Sequence, residues 1–337
     1  MRAENPSPAR DREASPSTMT WPLPSRGVRW AAIASLVANL VIIATGGLVR
    51  LTGSGLGCSS WPKCTPDAFT TTPEQGIHGL IEFGNRTLTG ALLIIAAWAV
   101  LAVYELRRTA DGSRTLGIPL TFTRHPARRD LVALVWIQVA GILLQAVVGG
   151  MVVIFHLTWN LVGFHYLLSI VLVALMTVFV VRAHSTAAPR ERAVGVPTAI
   201  ITHIMTLVLT VTVVLGVFAT GSGPHSGDLS QVQRTGIDAE LIYHVHAVSA
   251  YLLFALTITI VVLARFGPAL LRRWSAALLL VELVQIAVGV TQARLALPVS
   301  LVLVHMVLAG ALTAAGVGTV LALKQPRSAA VAEGADR

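Results

Sequence analysis

Charged side chains are scarce in this chain: Asp, Glu, Lys and Arg make up only 12% of its 337 residues, whereas hydrophobic residues make up 54%. A soluble domain carries about 25% charged residues, so a water-soluble enzyme is excluded. Eight apolar segments are each long enough to cross a hydrocarbon core about 30 Å thick. They comprise residues 28–49, 80–104, 131–155, 157–181, 196–219, 241–264, 270–292 and 297–323. The expected fold class is therefore an all-α integral membrane protein with eight transmembrane helices.

Cysteine is also scarce, since Cys58 and Cys64 are the only two in the chain. A structural zinc site takes four ligands, and iron–sulfur clusters are usually held by four cysteines, so neither centre can be built from cysteine alone here. The sequence also has no flavin-binding motif. Any redox chemistry must therefore receive its electrons from a separate donor, either a reductase or a quinol.

The excess of positive charge is distributed unevenly. The formal net charge is +9, and 20 of the 25 Lys and Arg residues lie in the two termini and in the second, fourth and sixth loops. In an eight-span chain these segments share one side of the membrane, which the positive-inside rule places in the cytoplasm. Residues 1–27 are expected to form a disordered cytoplasmic tail, and residues 324–337 a second tail. The charge therefore indicates topology and not nucleic-acid binding.

Cys58 and Cys64 lie in the first loop, on the opposite, outward side of the membrane. Because that side is oxidising, the two thiols could form a disulfide that closes a short loop. Two unpaired thiols and a redox-active pair are the alternatives that the residues leave open.

An internal repeat divides the chain into halves. Gln145 and Gly149 precede His165 with the same spacing as Gln285 and Gly289 precede His305, and Thr-Gly-Ser-Gly occurs at both 52–55 and 220–223. These matches pair spans 1–4 with spans 5–8. We therefore expect two four-helix bundles, over residues 28–182 and 195–323, related by a pseudo-twofold axis along the membrane normal.

Three histidines lie inside predicted spans: His165, His246 and His305. An ionisable side chain within a membrane indicates a functional site by default. All three lie about 8–13 Å inside the outward end of their helices, a shared depth that suits haem ligation. In the second half His246 and His305 could hold iron from two sides. His246 is preferred over His244, because residues two apart do not share a helix face.

The first half breaks this symmetry, because its second span offers Glu82, Asn85 and Arg86 where another histidine would complete the pair. Asn is a poor iron ligand, so iron bound to His165 would keep one position open, which suits O2 chemistry or substrate exchange. Glu82 shares a helix face with Asn85 and could relay protons. An ion pair with Arg86 is the alternative role for Glu82.

Three arginines at the outward edges of the spans, Arg50, Arg86 and Arg294, could pair with the carboxylates of a bound haem. Each could instead be an interfacial anchor whose charged end reaches water. The residues alone leave both roles open.

Together these residues resemble the haem A synthase family, membrane enzymes that convert haem O to haem A for cytochrome oxidase. The similarity covers nearly the whole eight-span region. The chain looks like a bacterial member of this family, located in the cell membrane. It rests on the run Gly46–Leu56, the cysteine loop, Glu82 with Arg86, and the histidines His165, His246 and His305.

The resemblance implies that the second half holds haem b through His246 and His305, and that the first half holds haem O at His165. It implies that Glu82 is catalytic, that the cysteine pair takes part in activity, and that the C8 methyl group of haem O is oxidised to a formyl group. An external donor of electrons and supply of haem O by haem O synthase are implied as well, and a homo-oligomer is left open. The family commonly has His at the position of Asn85, so this chain departs from the family pattern for two-sided ligation in the first half.

Two other functions fit part of the pattern. A membrane cytochrome b that carries electrons between quinol and an acceptor would also use paired histidines. It would usually place two such pairs at different depths, whereas all the candidate ligands here share one depth. A transporter would fit the parallel repeat, but few charged residues lie near the membrane centre, so it ranks third.

Overall fold

The computed structural model describes residues 23–108, 120–124, 128–224 and 234–326. Within these residues eight helices are long and apolar enough to cross a membrane, which confirms the predicted spans. Residues 1–22 and 327–337 of the two predicted tails lie outside the described residues. The helices are α1 Arg26–Leu51, α2 Gly76–Val103, α3 Arg129–Ile154, α4 Trp159–Ala183, α5 Val196–Ser222, α6 Ala239–Ala264, α7 Ala269–Arg294 and α8 Val299–Leu321.

Four short strands accompany the helices. Strand β1 (Tyr104–Arg108) pairs with β2 (Leu120–Arg124), and β3 (Arg190–Arg192) pairs with β4 (Lys324–Pro326), both antiparallel. The prediction did not include them, because segments this short carry little periodicity. All four strands lie at the end of the bundle where α1 begins, here called the strand end. The opposite end carries Cys58 and Cys64 and is called the disulfide end.

The helices form two four-helix bundles, as predicted. In the first half α1 packs against α2 and α4, and α3 packs against the same two helices; α5–α8 repeat this arrangement. Between the halves α4 packs against α8, while the contact of α1 with α8 is matched by that of α5 with α4. This is the pattern that a pseudo-twofold axis between α4 and α8 produces.

The turns before α4 and α8 repeat the same backbone conformation. His156 and Leu157 have φ angles of 50° and 58°, and Ala296 and Leu297 have φ angles of 56° and 60°. In each turn the N–H of the second residue donates to the carbonyl five residues earlier, at 2.8 Å. Non-glycine residues rarely adopt this left-handed region. Its occurrence at both turns shows that the repeat extends to local backbone geometry and places α4 and α8 at equal depth.

The helix ends have specific local causes. Ser25 precedes α1 and its hydroxyl accepts a hydrogen bond from the N–H of Val28, while Asp238 precedes α6 and accepts one from Leu241 at 2.7 Å. Such caps satisfy backbone donors that have no partner within the helix. α5 has a proline in its first turn, where the missing N–H costs nothing.

Each bundle is closely packed toward the strand end. The first-half core includes Phe179 and Met176, both fully buried, and the second-half core includes Met205, Ile260 and Leu271. The outer faces of the helices are apolar as well, and large hydrophobic side chains such as those of Ile94 and Leu280 are exposed there. An apolar exterior is stable in lipid and not in water. Polar side chains are therefore left to collect between the bundles, toward the disulfide end.

Candidate functional site

A cavity of about 850 Å³ lies between the helices of both halves toward the disulfide end. The cavity wall shows the internal repeat, because residues at equivalent positions of the two halves line it. The pairs, first half before second, are Ile42 and Thr212, Gly46 and Gly216, Asn85 and His246, Leu92 and Leu253, Ile142 and Glu282, Gln145 and Gln285, His165 and His305, and Leu172 and Leu312.

The cavity corrects one detail of the predicted repeat. Residues 42, 43, 46, 47 and 50 of α1 face it, as do residues 212, 213, 216, 217 and 220 of α5. Arg50, and not Thr52, therefore corresponds to Thr220. The Thr-Gly-Ser-Gly match paired the correct helices, but its alignment is displaced by two residues from the correspondence of the cavity-facing positions.

His246 and His305 approach each other in the second half. Their ring centroids are 6.2 Å apart and their planes make an angle of 69°. A metal–imidazole bond is about 2 Å long, so two rings on opposite sides of one metal have centroids about 6 Å apart. They lie seven and six residues inside their helices, and His165 also lies six residues inside, which agrees with the predicted common depth.

The ring of His246 is oriented by the backbone. Its Nδ1 lies 3.0 Å from the carbonyl oxygen of Thr212, and because a carbonyl only accepts, Nδ1 carries the hydrogen and Nε2 has the lone pair. Metal-bound histidines are commonly held in this way. His244, the alternative ligand, is exposed, and its Nδ1 bonds instead to the Glu240 carbonyl at 2.8 Å. The structure therefore brings His246, and not His244, to His305.

The residues of the second half fit a haem. Nδ1 of His305 is buried and has no hydrogen-bond partner among the described residues. No cluster of three or more His, Cys, Asp or Glu side chains in that described part could hold a bare metal ion. Two facing imidazoles inside an apolar cavity are instead the donor set for an iron that already has four ligands from a porphyrin.

A glycine lies against each of the three imidazoles. A Cβ atom built on Gly149, Gly216 or Gly289 would lie 3.2, 3.2 or 3.1 Å from Cε1 of the neighbouring histidine. Any side chain larger than hydrogen would therefore displace the ring. Two of these glycines, Gly149 and Gly289, belong to the sequence repeat, which by itself does not show their contact with the histidines.

Two glutamines explain the repeated spacing. The side-chain amides of Gln145 and Gln285 donate to the backbone carbonyls of His165 and His305, each at 3.1 Å. Gln145 also donates to the hydroxyl of Ser169 at 2.6 Å. These bonds join α3 to α4 and α7 to α8 at the level of the histidines, so they fix the height of each ring.

Asn85 occupies the position of His246 in the first half. Its Oδ1 accepts a hydrogen bond from the hydroxyl of Thr45 at 2.8 Å, and it faces Gly46 as His246 faces Gly216. His165 lines the same part of the cavity, and its Nδ1 is buried without a partner among the residues described. The first half therefore offers one imidazole where the second offers two.

Cys58 and Cys64 form a disulfide, with an S–S distance of 2.02 Å. Both residues are fully buried, so the prediction of a disulfide is confirmed and the alternative of two unpaired thiols is wrong. Trp61 of the closed loop lies against Gly150 of α3. The loop is therefore fastened to the first bundle.

Glu82 and Arg86 form the ion pair that the sequence analysis named as an alternative. Oε2 of Glu82 accepts from the Cys58 N–H at 2.7 Å, and Arg86 donates to the carbonyls of Ser60 and Lys63 at 2.9 and 3.1 Å. The pair thus satisfies backbone groups of the disulfide loop. Neither side chain is among the described residues that line the cavity, so Arg86 is not placed to meet a ligand there.

Arg50 and Arg294 do line the cavity, near its disulfide end. One guanidinium nitrogen of Arg50, in the first half, is 3.4 Å from the carbonyl oxygen of Thr220 in the second. The two arginines supply positive charge to a cavity that is otherwise mostly apolar. They are suited to carboxylate groups on a bound ligand.

Glu282 of α7 has no role predicted from the sequence. It is 2% exposed, lines the cavity, and neither carboxyl oxygen has a hydrogen-bond partner among the described residues. The neighbouring hydroxyl of Thr257 is close enough to interact with the carboxyl group, but it is not in hydrogen-bonding geometry with either oxygen. Burial of a polar group without a partner is costly, so such a group in a native fold requires a functional explanation.

Comparisons with known proteins agree with these observations. The sequence profile of the family COX15-CtaA, described as cytochrome oxidase assembly protein, matches residues 29–224. The chain is also similar to proteins named Heme A synthase. That of Bacillus licheniformis is 26% identical over 169 residues, 48% of each chain, and that of Bacillus pumilus is 27% identical over 146 residues, 43% of this chain and 41% of the relative.

The protein named Heme A synthase of Geobacillus kaustophilus is 37% identical over 93 residues, which are 25% of this chain and 27% of the relative. The aligned regions thus span less than half the length of each of these curated relatives.

Proposed function

Because the chain belongs to the cytochrome oxidase assembly protein family, we propose that it is a haem A synthase. In this proposal it oxidises the C8 methyl group of haem O to the formyl group of haem A, for use by cytochrome oxidase. The observation that carries the proposal is the unequal donor set of two equivalent half-cavities: two imidazoles in the second half and one in the first. One half is suited to keep a haem and the other to exchange one.

The second half is the site of the resident cofactor, haem b. His246 and His305 are its iron ligands, supported by the 6.2 Å separation of their rings and by the bond that orients His246. Haem iron with two imidazole ligands supplies one-electron transfer. The protein holds both rings in place through Gly216 and Gly289 and excludes water with the surrounding apolar side chains.

The first half is the site of the substrate, haem O. His165 is the iron ligand on one side, and the amide of Asn85 faces the other side, where it leaves a coordination position for exchange. Arg50 and Arg294 bind the carboxylates of the haems at the disulfide end. One-sided ligation suits a substrate because a molecule that must leave after reaction cannot be held as tightly as a cofactor.

Glu82 is proposed as the catalytic carboxylate and Arg86 as the residue that holds it. Glu82 lies one helical turn from Asn85, close to the wall of the first half-cavity. Its bond to the Cys58 N–H couples it to the disulfide loop, so loss of either cysteine should displace Glu82. With O2 as the oxidant, each of two hydroxylations of the methyl group would take two electrons and two protons from an external donor and release one water. Loss of water from the resulting gem-diol would then give the formyl group.

The protein is a multi-pass membrane protein, and we propose the cell membrane of a bacterium as its location. The disulfide end faces outward and both termini lie in the cytoplasm. The charge distribution supports this orientation, since 20 of the 25 Lys and Arg residues belong to the termini and to the loops of the strand end.

The test is expression of the full chain together with a source of haem O, followed by extraction of the haems. Their masses and pyridine haemochrome spectra identify them, and membranes without the chain are the control. We expect haem A to accumulate only when the chain is present. Bound haem b without any haem A would refute the synthase and favour an electron-carrying cytochrome b.

A further inference from the structure

The innermost walls of the two half-cavities differ at one position. Toward the membrane centre the first half is lined by Leu92, Ile142 and Leu172. The second half has leucines at both equivalent leucine positions but has Glu282 in place of Ile142. We call each set of three residues a floor. The only ionisable side chain in either floor is therefore the carboxyl of Glu282.

The two floors differ sharply in polarity. Ile142 is 2% exposed and packs with Leu92 in an apolar cluster that also contains Ala96. Glu282 is just as buried, yet within the described residues neither of its carboxyl oxygens has a hydrogen-bond partner. The two side chains thus fill equivalent positions of the two halves, Ile142 with a hydrocarbon group and Glu282 with a carboxyl group.

The floors lie opposite the arginines. Arg50 and Arg294 line the disulfide end of the cavity, whereas Glu282 lies seven residues before Gly289, about 10 Å along α7 from the level of the histidines. A haem whose carboxylates pair with the arginines directs its opposite edge toward the floor. Haem O carries a long isoprenoid chain where haem b carries a small vinyl group.

We propose that Glu282 is a specificity-determining residue, which makes the second half select haem b and reject a haem with an isoprenoid chain. The inference rests on the proposed function. An isoprenoid chain packed against the second floor would enclose the carboxyl in hydrocarbon without a partner, which is costly. The same chain packs favourably against Leu92, Ile142 and Leu172, because burial of apolar surface is favourable. Two haems in one cavity are thereby sorted to different halves.

The test measures binding and not turnover. The full chain is purified without haem in a His165→Ala background, so that the second half alone keeps its histidines, and is titrated optically with haem b and with haem O. With Glu282 present, haem b should bind at least about tenfold more tightly than haem O, the factor expected for enclosing one unpartnered polar group. Glu282→Ile should remove this preference, and Glu282→Gln, which stays polar, should keep most of it.

The reciprocal variant tests the first floor. In a His305→Ala background, Ile142→Glu should lower the affinity for haem O about tenfold and leave that for haem b unchanged. Retained haem b binding by Glu282→Ile shows that this variant folds. If Glu282→Ile binds neither haem, the role of Glu282 is tested by Glu282→Leu and by Ile142→Glu instead.

The outcomes separate this inference from the proposed function. The role of Glu282 is overturned if the two haems bind equally with Glu282 present, or if Glu282→Ile keeps the preference for haem b. In either case, haem b bound at the second half leaves the synthase proposal intact. Absence of both haems from the His246–His305 site overturns both. Loss of haem O binding in Ile142→Glu together with loss of the preference in Glu282→Ile supports the inference.

Discussion

The two halves of this protein share a scaffold and differ in a few side chains that face one cavity. Both halves have the same helix packing, the same left-handed turn and the same glutamine bond to the carbonyl of a histidine. They differ where Asn85 takes the place of His246, where Ile142 takes the place of Glu282, and in the disulfide loop of the first half. In the proposed function these few differences distinguish a half that keeps a haem from a half that exchanges one.

Removal of an imidazole from the second half should have the largest effect. We expect His305→Ala to lose the resident haem b almost completely, because one ligand remains and the buried ring of His246 has no partner across the iron. His165→Ala, the equivalent change in the first half, should retain it. Reduced-minus-oxidised spectra of the purified chains measure this. Survival of b-type absorbance in both His305→Ala and His246→Ala would show that the ligand pair is wrong.

Loss of the Glu82–Arg86 pair should be the next largest effect, and it is confined to the first half. Arg86→Met leaves a buried carboxylate without its partner and should destabilise the first half by about 3 kcal/mol. Glu82→Gln should lower haem A formation about 100-fold or more. Thermal unfolding in detergent and haem analysis are the measurements, and Glu240→Gln, an exposed acid, is the control.

The two variants of this pair also separate two roles of Glu82. Equal loss of activity and of stability in Glu82→Gln and Arg86→Met would show that the carboxylate acts only by holding the disulfide loop. A larger activity loss in Glu82→Gln at equal stability agrees with the proposed catalytic role.

Asn85→His should make the first half resemble the second. The new imidazole would occupy the position of His246 opposite His165, so a second haem should be retained on purification. We expect the haem content per chain to rise from about one toward two, measured by pyridine haemochrome against protein concentration. Asn85→Leu is the matched control and should leave the haem content unchanged. An unchanged haem content in Asn85→His as well would contradict the equivalence of positions 85 and 246.

Glycine substitutions should give a smaller effect that also depends on the half. A methyl group on Gly289 would lie 3.1 Å from Cε1 of His305, whereas one on Gly46 would lie 3.9 Å from Oδ1 of Asn85. Gly289→Ala should therefore tilt the ring and shift the paramagnetic resonance spectrum of ferric haem b, and Gly46→Ala should not. Identical spectra for both variants would argue that the ring of His305 is not in contact with Gly289.

The smallest expected effect compares the two glutamines. Gln285→Leu removes one hydrogen bond and should cost about 1 kcal/mol, whereas Gln145→Leu removes two and should cost about 2 kcal/mol. Chemical unfolding in detergent can resolve this difference. An equal cost in the two variants would mean that the bond from Gln145 to Ser169 contributes nothing, and a larger cost in Gln285→Leu would contradict the predicted order.

Much of the architecture was predictable from the sequence. The eight spans, the disulfide and the pairing of the halves follow from hydropathy and from spacings such as that of Gln145 to His165, because these properties depend on local order along the chain. The family profile covers residues 29–224 and ends before His246. The second site is therefore supported by the internal repeat and by geometry.

Other features could not be read from spacing. Glu82 and Asn85 lie three residues apart, yet only Asn85 lines the cavity, because Glu82 is drawn to the Cys58 N–H and to Arg86. The alignment of α1 with α5 was displaced by two residues for a similar reason: four matching residues at a helix end do not show which face of the helix is buried.

The sequence by itself determined that this chain spans the membrane, that it is duplicated, and that three histidines share one depth, since length, periodicity and apolarity are properties of the linear chain. Only the tertiary structure decided which side chains lie together: His246 faces His305, Thr45 donates a hydrogen bond to Asn85, and Glu282 lines the same cavity as the two arginines. Those juxtapositions join residues far apart in the chain, and the packing angle and rotation of each helix set them.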